Sequence, residues 1–280
     1  MRTLIFGCGY LGHRVAARLV GTGGSVSAVT RSDDRAAVLR GTGIEPLVAD
    51  IMTPASLLNL PAVDRVLYCV GFDRSGAHSK RDTYVGGLSN VLAALPDACE
   101  ITYVSSTSVY GQADGEWIDE DSATEPATEG GKICLEAEQL LSDRNASIVR
   151  LAGIYGPDRV LRKIDSLRTA EPIAGNPDSY LNLIHVADAA RLVHRVLDQP
   201  QRAPVYLGCD GHPATRRDFY SALARLLKAA EPAFDPTLPA RHGNGGINKR
   251  CRSRLLASLS FEPDYPGYTD GLPSCIEATE

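Results

Sequence analysis

Thr3-Leu4-Ile5-Phe6-Gly7-Cys8-Gly9-Tyr10-Leu11-Gly12-His13-Arg14-Val15-Ala16-Ala17-Arg18-Leu19-Val20 is the stretch whose reading decides the fold. Its first four residues are an apolar run of buried-strand length, and Val15 to Val20 carry a helical pattern. Between them stands G-x-G-x-x-G, and the order gives each glycine a physical task. Gly7 permits the tight turn off the strand, Gly9 lets the backbone approach a pyrophosphate, and Gly12 lets the helix pack closely on the strand. The first turn of that helix would point its N–H groups at the phosphates. The stretch predicts a strand over 3–6, a helix near 11–21 and a dinucleotide held by the loop between them, with Tyr10 and Leu11 inside that loop. A glycine-rich turn without a ligand is the plainer alternative.

Working outward, strand and helix signals alternate through the first half of the chain. Apolar runs predict further strands over 25–30, 46–49, 65–70, 100–105 and 147–151, with helical stretches near 33–40, 79–95 and 131–142. Such alternation calls for an α/β fold, a doubly wound parallel Rossmann-type sheet with helices on both faces. After Gly153 the alternation weakens, and Gly156-Pro157, Glu171-Pro172 and Asn176-Pro177 mark turns. One more strand is expected over 204–207, a helix over 215–229 and a surface loop over 235–248. The expected organisation is a dinucleotide-binding domain over 1–152. A mixed region over 153–280 follows, holding a smaller substrate lobe and some segments that return to the sheet.

The 280 residues carry a formal net charge of -5, with 44% hydrophobic and 22% charged residues. That balance suits an ordinary globular chain and argues against a nucleic-acid partner, which would call for a basic face or stripe. No apolar run approaches a membrane-spanning length and the N-terminus runs straight into the first strand, so the expectation is a cytoplasmic protein without a membrane partner. The seven cysteines are scattered, with no C-x-x-C pair, and read as reduced, buried thiols. No metal site is expected.

The residues after the second strand address the nucleotide. An acidic side chain there would accept from the adenosine ribose, whereas Arg31-Ser32 offers a guanidinium fork and a hydroxyl to a 2′-phosphate. That favours NADP, with NAD as the alternative because Asp33 and Asp34 follow at once. Asp33 is expected to serve as the helix N-cap. Asp50-Ile51, after the third strand, is placed to meet the adenine edge, and Val70-Gly71 lets backbone come close after the fourth.

Ser105-Ser106-Thr107-Ser108-Val109-Tyr110-Gly111 resembles the S-S-x-x-V-Y-G segment of extended short-chain dehydrogenases/reductases, the NAD-dependent epimerase/dehydratase family. Arg150-Leu151-Ala152-Gly153-Ile154-Tyr155-Gly156-Pro157 and Asn182-Leu183-Ile184-His185-Val186-Ala187-Asp188 are similar to further segments of that family. Lys249-Arg250-Cys251 and Tyr265-Pro266-Gly267-Tyr268 resemble an atypical branch of it. The resemblance implies a small-molecule substrate, a homodimer paired through two helices of the sheet's outer face, and chemistry shared by a serine, a tyrosine and a lysine. The tyrosine moves a proton as hydride moves, and the serine steadies the substrate oxygen. Ser106 matches that serine, with Ser105 beside it expected to meet the cofactor.

The family's Tyr-x-x-x-Lys is missing. No tyrosine lies between Gly111 and Tyr155, and the stretch reads Thr128-Glu129-Gly130-Gly131-Lys132-Ile133-Cys134. Either Lys132 is the family lysine and Thr128 stands for the tyrosine, or Glu138-Gln139-Leu140-Leu141 sets the register and the pair becomes Gly130 and Cys134. Tyr84 stands near the position where the family often carries an asparagine. Tyr110 and Tyr155 are candidates for the displaced phenol, and Lys132 for a cation on the nicotinamide ribose. His185 and Asp188 are expected to serve structure. The stretch after 147–151 lacks the asparagine that nucleotide-sugar enzymes of the family often carry. Two readings follow: an NADP-dependent oxidoreductase or epimerase-like enzyme with a non-standard proton donor, or an NADP-binding sensor without turnover.

Overall fold

Parallel strands buried on both faces need nearly continuous apolar runs, and the alternating runs of this chain assemble into such a sheet in the computed structural model. The structure describes residues 1–238 and 246–277, with the backbone alone at 161, 162 and 277. In chain order the sheet elements are β1 (Arg2–Phe6), α1 (Gly12–Gly21), β2 (Ser25–Thr30), α2 (Asp33–Arg40), β3 (Glu45–Val48) and β4 (Arg65–Tyr68). They continue with α3 (Gly87–Ala94), β5 (Glu100–Ser106), α4 (Glu129–Gln139), β6 (Ala146–Leu151), α5 (Val186–Leu197) and β7 (Val205–Gly208).

The strand order is β7-β6-β5-β4-β1-β2-β3. β1 pairs in parallel with β2 on one side and β4 on the other, so Leu4 lies between Ser27 and Val66. The strand order reverses between β1 and β4, and ligands of doubly wound sheets bind at such a switch point, outside the carboxyl ends of the strands. The doubly wound reading of the sequence is therefore borne out.

Helix α2 runs over the expected residues, but its N-cap is Ser32 and not Asp33. Ser32 has an extended backbone, and its hydroxyl accepts from Arg35 N at 3.3 Å. Asp33 and Asp34 fall in the first turn, where carboxylates complement the helix dipole. The helix expected over 131–142 begins earlier, at Glu129. The one expected over 79–95 is interrupted by a π-helical turn, Asp82–Gly86, before it continues as α3.

The chain forms two compact units: residues 1–109, 129–150 and 190–206 in the first, and 110–128, 151–189 and 207 onward in the second. The expected domain over 1–152 is corrected at 110–128. That stretch leaves the sheet because Glu116–Ile118 pairs in parallel with Lys249–Cys251, a long-range contact of the second unit. The core of the first unit gathers Leu4, Phe6, Val66, Ile101, Val91 and Ala137, with Tyr68 stacked between Phe6 and Tyr103 at 6.0 and 5.7 Å. That of the second gathers Tyr155, Ile164, Leu183, Phe219, Leu223 and Leu272.

Half of the expected loop over 235–248, residues 239–245, lies outside the described residues. All seven cysteines are unpaired; six are buried and Cys69 is half-buried. Among the described residues no helix is long and apolar enough to cross a membrane.

Candidate functional site

The glycine loop shows why its residue types are needed. Gly7 has a φ of +90°, and a Cβ there would lie 2.5 Å from the carbonyl of Cys69 and from Val70 N. A Cβ on Gly12 would overlap the Gly7 oxygen and lie 2.8 Å from Cys69 Sγ. These two glycines seat the loop against the end of β4. A Cβ on Gly9, by contrast, would meet nothing within 4 Å, so the outer side of the loop is open to approach. Gly9 N donates to Gly7 O at 2.8 Å and His13 N to Gly9 O at 2.9 Å, which closes the turn into the helix.

Leu11 stands at the N-cap of α1 without a side-chain cap, and the first turn of the helix holds no acidic residue to complement the positive end of its dipole. Open backbone at Gly9 and an uncapped helix N-terminus fit a pyrophosphate. Leu11 is buried beneath the loop, and Tyr10 lies under the Arg14 guanidinium, 4.3 Å from its ring centre.

Around the ends of β2, β3 and β4 the expected nucleotide contacts fall as follows. Arg31 is exposed, and its guanidinium reaches Asp73 Oδ2 at 3.2 Å, past the end of β4. Ser32 Oγ is engaged as the α2 cap. Asp50 is turned into its own loop, where Oδ1 accepts from Met52 N at 2.9 Å and its N–H goes to Ser56 Oγ at 3.0 Å. Ile51 packs toward Gly87, where a Cβ would come within 2.6 Å of its Cδ1. Val70 borders Gly7, and Gly71 opens to free space.

Sequence reasoning missed Arg35, whose guanidinium donates to the Cys8 carbonyl at 3.2 Å and so links α2 to the glycine loop. Its charge joins burial in pushing the His13 imidazole below its usual range. The available signal was its place in the first turn of α2, the helix that the Arg31-Ser32 stretch leads into.

At the end of β5 the two serines diverge. Ser105 is buried, and its hydroxyl donates to Glu138 Oε1 at 2.5 Å. Glu138 also receives Arg150 Nε at 3.1 Å and its terminal nitrogen at 2.7 Å, with both side chains under a tenth exposed. Ser105 thus anchors α4 to the sheet, which corrects its expected place at the cofactor. Ser106 is half-buried, and its Oγ accepts from Ser108 N at 3.1 Å.

The Glu138 anchor fixes which face of α4 turns inward. Cys134, one turn earlier, is buried and hydrogen-bonded to the Ser108 side chain; burial pushes its thiol up. Gly130 comes one turn before that. Lys132, two residues out of that phase, is exposed on the opposite side, which corrects its expected role on the ribose.

The other two expected phenols belong to the second unit and are core residues. Tyr110 is fully buried, and its carbonyl accepts from Lys249 Nζ at 2.7 Å; burial holds that lysine below its usual value. Tyr155 is 2% exposed, donates its hydroxyl to Gly267 O at 3.2 Å, and packs edge-on against His185 at 5.2 Å. Burial raises its pKa far above the ordinary phenol value, with the carboxylate of Asp210 adding to the rise. A proton exchanging with substrate needs an accessible phenol, so both residues are corrected from acid/base candidates to packing. His185 and Asp188 serve structure: Asp188 accepts the N–H groups of Asp264 and Tyr265 at 2.9 Å each, and His185 Nε2 meets Ser274 Oγ at 3.3 Å.

The model of the NAD dependent epimerase/dehydratase family matches residues 3–207. Protein YeeZ of Escherichia coli K12 is 31% identical over 281 residues, spanning 95% of this chain and 96% of that protein. A structure from Methylobacillus flagellatus, provisionally described as an NAD-dependent epimerase/dehydratase, superimposes with a TM-score of 0.78 at 32% identity, over 99% of this chain and 98% of that one. The UDP-glucose 4-epimerase of Bifidobacterium longum, solved with NAD+ and UDP, gives a TM-score of 0.80 over 100% and 98% of the chains. Its 18% identity makes that a likeness of fold.

Proposed function

Because the chain belongs to the NAD dependent epimerase/dehydratase family, we propose that it is an NADP-dependent, epimerase-like oxidoreductase acting at an oxygen-bearing carbon of a small molecule. The observation that carries this reading is the Gly7–Gly12 loop, closed against β4 by two glycines and open at the third beside an uncapped helix N-terminus. When bound, the nicotinamide supplies or accepts the hydride. Arg31, just after β2, and Arg35, in the first turn of α2, offer two guanidinium forks to a 2′-phosphate, with the Arg31–Asp73 pair exposed enough to exchange partners. Ser106 Oγ, half-buried at the carboxyl end of β5, orients the substrate oxygen. Unpaired, mostly buried cysteines suit a reducing compartment such as the cytoplasm.

Calorimetric titration with NADPH and with NADH tests the reading. NADPH should bind more tightly than NADH, and Arg31→Ala or Arg35→Ala should weaken NADPH about tenfold or more while leaving NADH within about twofold, since hydrogen bonds to charged groups contribute about 1.5–3 kcal/mol. Failure of both nucleotides to bind would refute it. A second reading, nucleotide binding without turnover, draws on the inward face of α4, where Cys134 and Gly130 stand one and two turns before the Glu138 anchor and supply neither phenol nor ammonium. Steady oxidation of NADPH by any carbonyl substrate would exclude it.

A further inference from the structure

The inward face of α4 is not simply depleted. The position where a side chain on residue 130 would begin is held by an ammonium from elsewhere: a Cβ on Gly130 would lie 2.6 Å from Lys80 Nζ, which also points at the Gly130 carbonyl from 3.5 Å. The same ammonium stands over the ring of Tyr84 at 5.4 Å from its centre, a cation–π distance. Lys80 and Tyr84 are four residues apart, so successive turns of one helix carry them on one side.

The segment is fixed at both ends. Ser79 caps it reciprocally with Asp82, through Ser79 N to Asp82 Oδ2 at 3.1 Å and Asp82 N to Ser79 Oγ at 3.0 Å. Arg81 forks onto Glu136 of α4, with Nε to Oε2 at 3.0 Å, which ties the turn carrying Lys80 to the helix carrying Gly130. Tyr84 Oη accepts from Phe72 N at 3.3 Å, which places the hydroxyl beside the segment leaving the end of β4, at the switch point. The backbone here is the π-helical turn Asp82–Gly86, a geometry frequent at functional sites.

We propose that Tyr84 is the proton donor and acceptor of this enzyme and that Lys80 is its electrostatic partner, the pair having moved from α4 to the helix that precedes α3. The proposal rests on the hydride-transfer reading above. In the reducing direction a bound dihydronicotinamide would supply the hydride to the carbonyl carbon, and the electron pair of the C=O π bond would go to oxygen. That oxygen takes the Tyr84 proton. The phenolate left behind faces the Lys80 ammonium and recovers its proton from water, so one NADPH and one proton are consumed per alcohol formed. Oxidation runs the same steps backwards.

The test uses the full-length protein with Tyr84→Phe and Lys80→Met, both close in shape to the native side chains. Alkaline titration of tyrosinate absorbance, with the Tyr84 step identified by its loss in Tyr84→Phe, should show that step moving to higher pH in Lys80→Met, and this needs no substrate. With NADPH and a panel of aldehydes and ketones, Tyr84→Phe should lower kcat about 10²-fold or more, the usual size of a general-acid contribution. NADPH affinity should stay within about twofold. A tyrosinate step indifferent to Lys80→Met, or undiminished kcat in Tyr84→Phe, with NADPH still bound, would overturn the pair alone. Loss of NADPH binding by the unmodified protein would overturn the pair together with the reading it rests on, and the calorimetric trace tells the two apart.

Discussion

Replacing Gly7 and Gly9 by alanine, one at a time, should separate the two tasks of the glycine loop. At Gly7 an alanine inherits a φ of +90°, which costs an L-residue roughly 1–2 kcal/mol. Its Cβ would also stand 2.5 Å from backbone atoms of Cys69 and Val70, which no side-chain rotation relieves. Forced overpacking of that kind costs about 1–3 kcal/mol, so Gly7→Ala should destabilise the first unit by about 2–5 kcal/mol. Gly9 has no positive φ, and its Cβ would meet nothing within 4 Å. Gly9→Ala should therefore leave stability within about 0.5 kcal/mol. Its methyl would stand where the pyrophosphate must approach, and NADPH should bind at least about tenfold more weakly, or about 1.4 kcal/mol. Urea unfolding followed by circular dichroism reads the first effect as a shift of midpoint, and calorimetry reads the second. A Gly9→Ala protein that binds NADPH normally, or a Gly7→Ala protein that unfolds at the native midpoint, would refute the division of labour.

Three further outcomes follow from buried and exposed charges. Glu138→Gln should cost about 3–5 kcal/mol because it leaves the Arg150 guanidinium buried without its counter-ion, while Glu138→Leu combined with Arg150→Met should recover most of the loss; denaturation midpoints that simply add would contradict the pairing. Burial pushes the Asp210 carboxyl up to about 7, and its Oδ2 is enclosed without a hydrogen-bond partner among the described residues. The folded chain then holds this proton more tightly than the unfolded one, so its stabilising contribution is complete below about pH 4 and is lost as pH rises to about 7. Asp210→Asn should flatten that portion of a plot of unfolding midpoint against pH, and an unaltered slope would count against it. Lys132→Met should leave NADPH affinity within about twofold, because the side chain is exposed on the outer face of α4; a tenfold loss would restore the ribose contact expected from sequence.

The sheet was legible because its information is local. A parallel strand buried on both faces is a short apolar run, and β1, β2, β5 and β6 lie where such runs stand, within a residue at either end. Helix α2 was legible for the same reason: Ser32, Asp33 and Asp34 form a start signal that depends on no distant residue. What escaped was non-local. Nothing around Glu116-Trp117-Ile118 announces that its partner is Lys249-Arg250-Cys251, and so nothing places residues 110–128 in the second unit. Short strands such as Gly153–Tyr155 and Leu183–His185 have no periodicity to read, and exist because each completes the other's hydrogen bonds.

The candidate site divides along the same line. The proposed nucleotide end is a motif of local backbone geometry, so the conformations of the Gly7, Gly9 and Gly12 loop and the exposed place of Arg31 could be read directly, whereas the tie from Arg35 to that loop could not. The α4 face could not. A helical pattern fixes which residues share a side but not which side turns inward, and here two sides were open: Thr128 with Lys132, or Gly130 with Cys134. The choice falls to a tertiary contact, the carboxylate of Glu138 buried against Arg150 and Ser105. Once that pair is seated, Gly130 and Cys134 follow inward by the helical period and Lys132 must face out. The same constraint gives the glycine its meaning. Any side chain at residue 130 would drive Lys80 from its place, so glycine there and lysine at residue 80 are two halves of one arrangement, and Gly130→Ala should loosen the Lys80–Tyr84 pair while leaving the sheet and nucleotide binding unchanged.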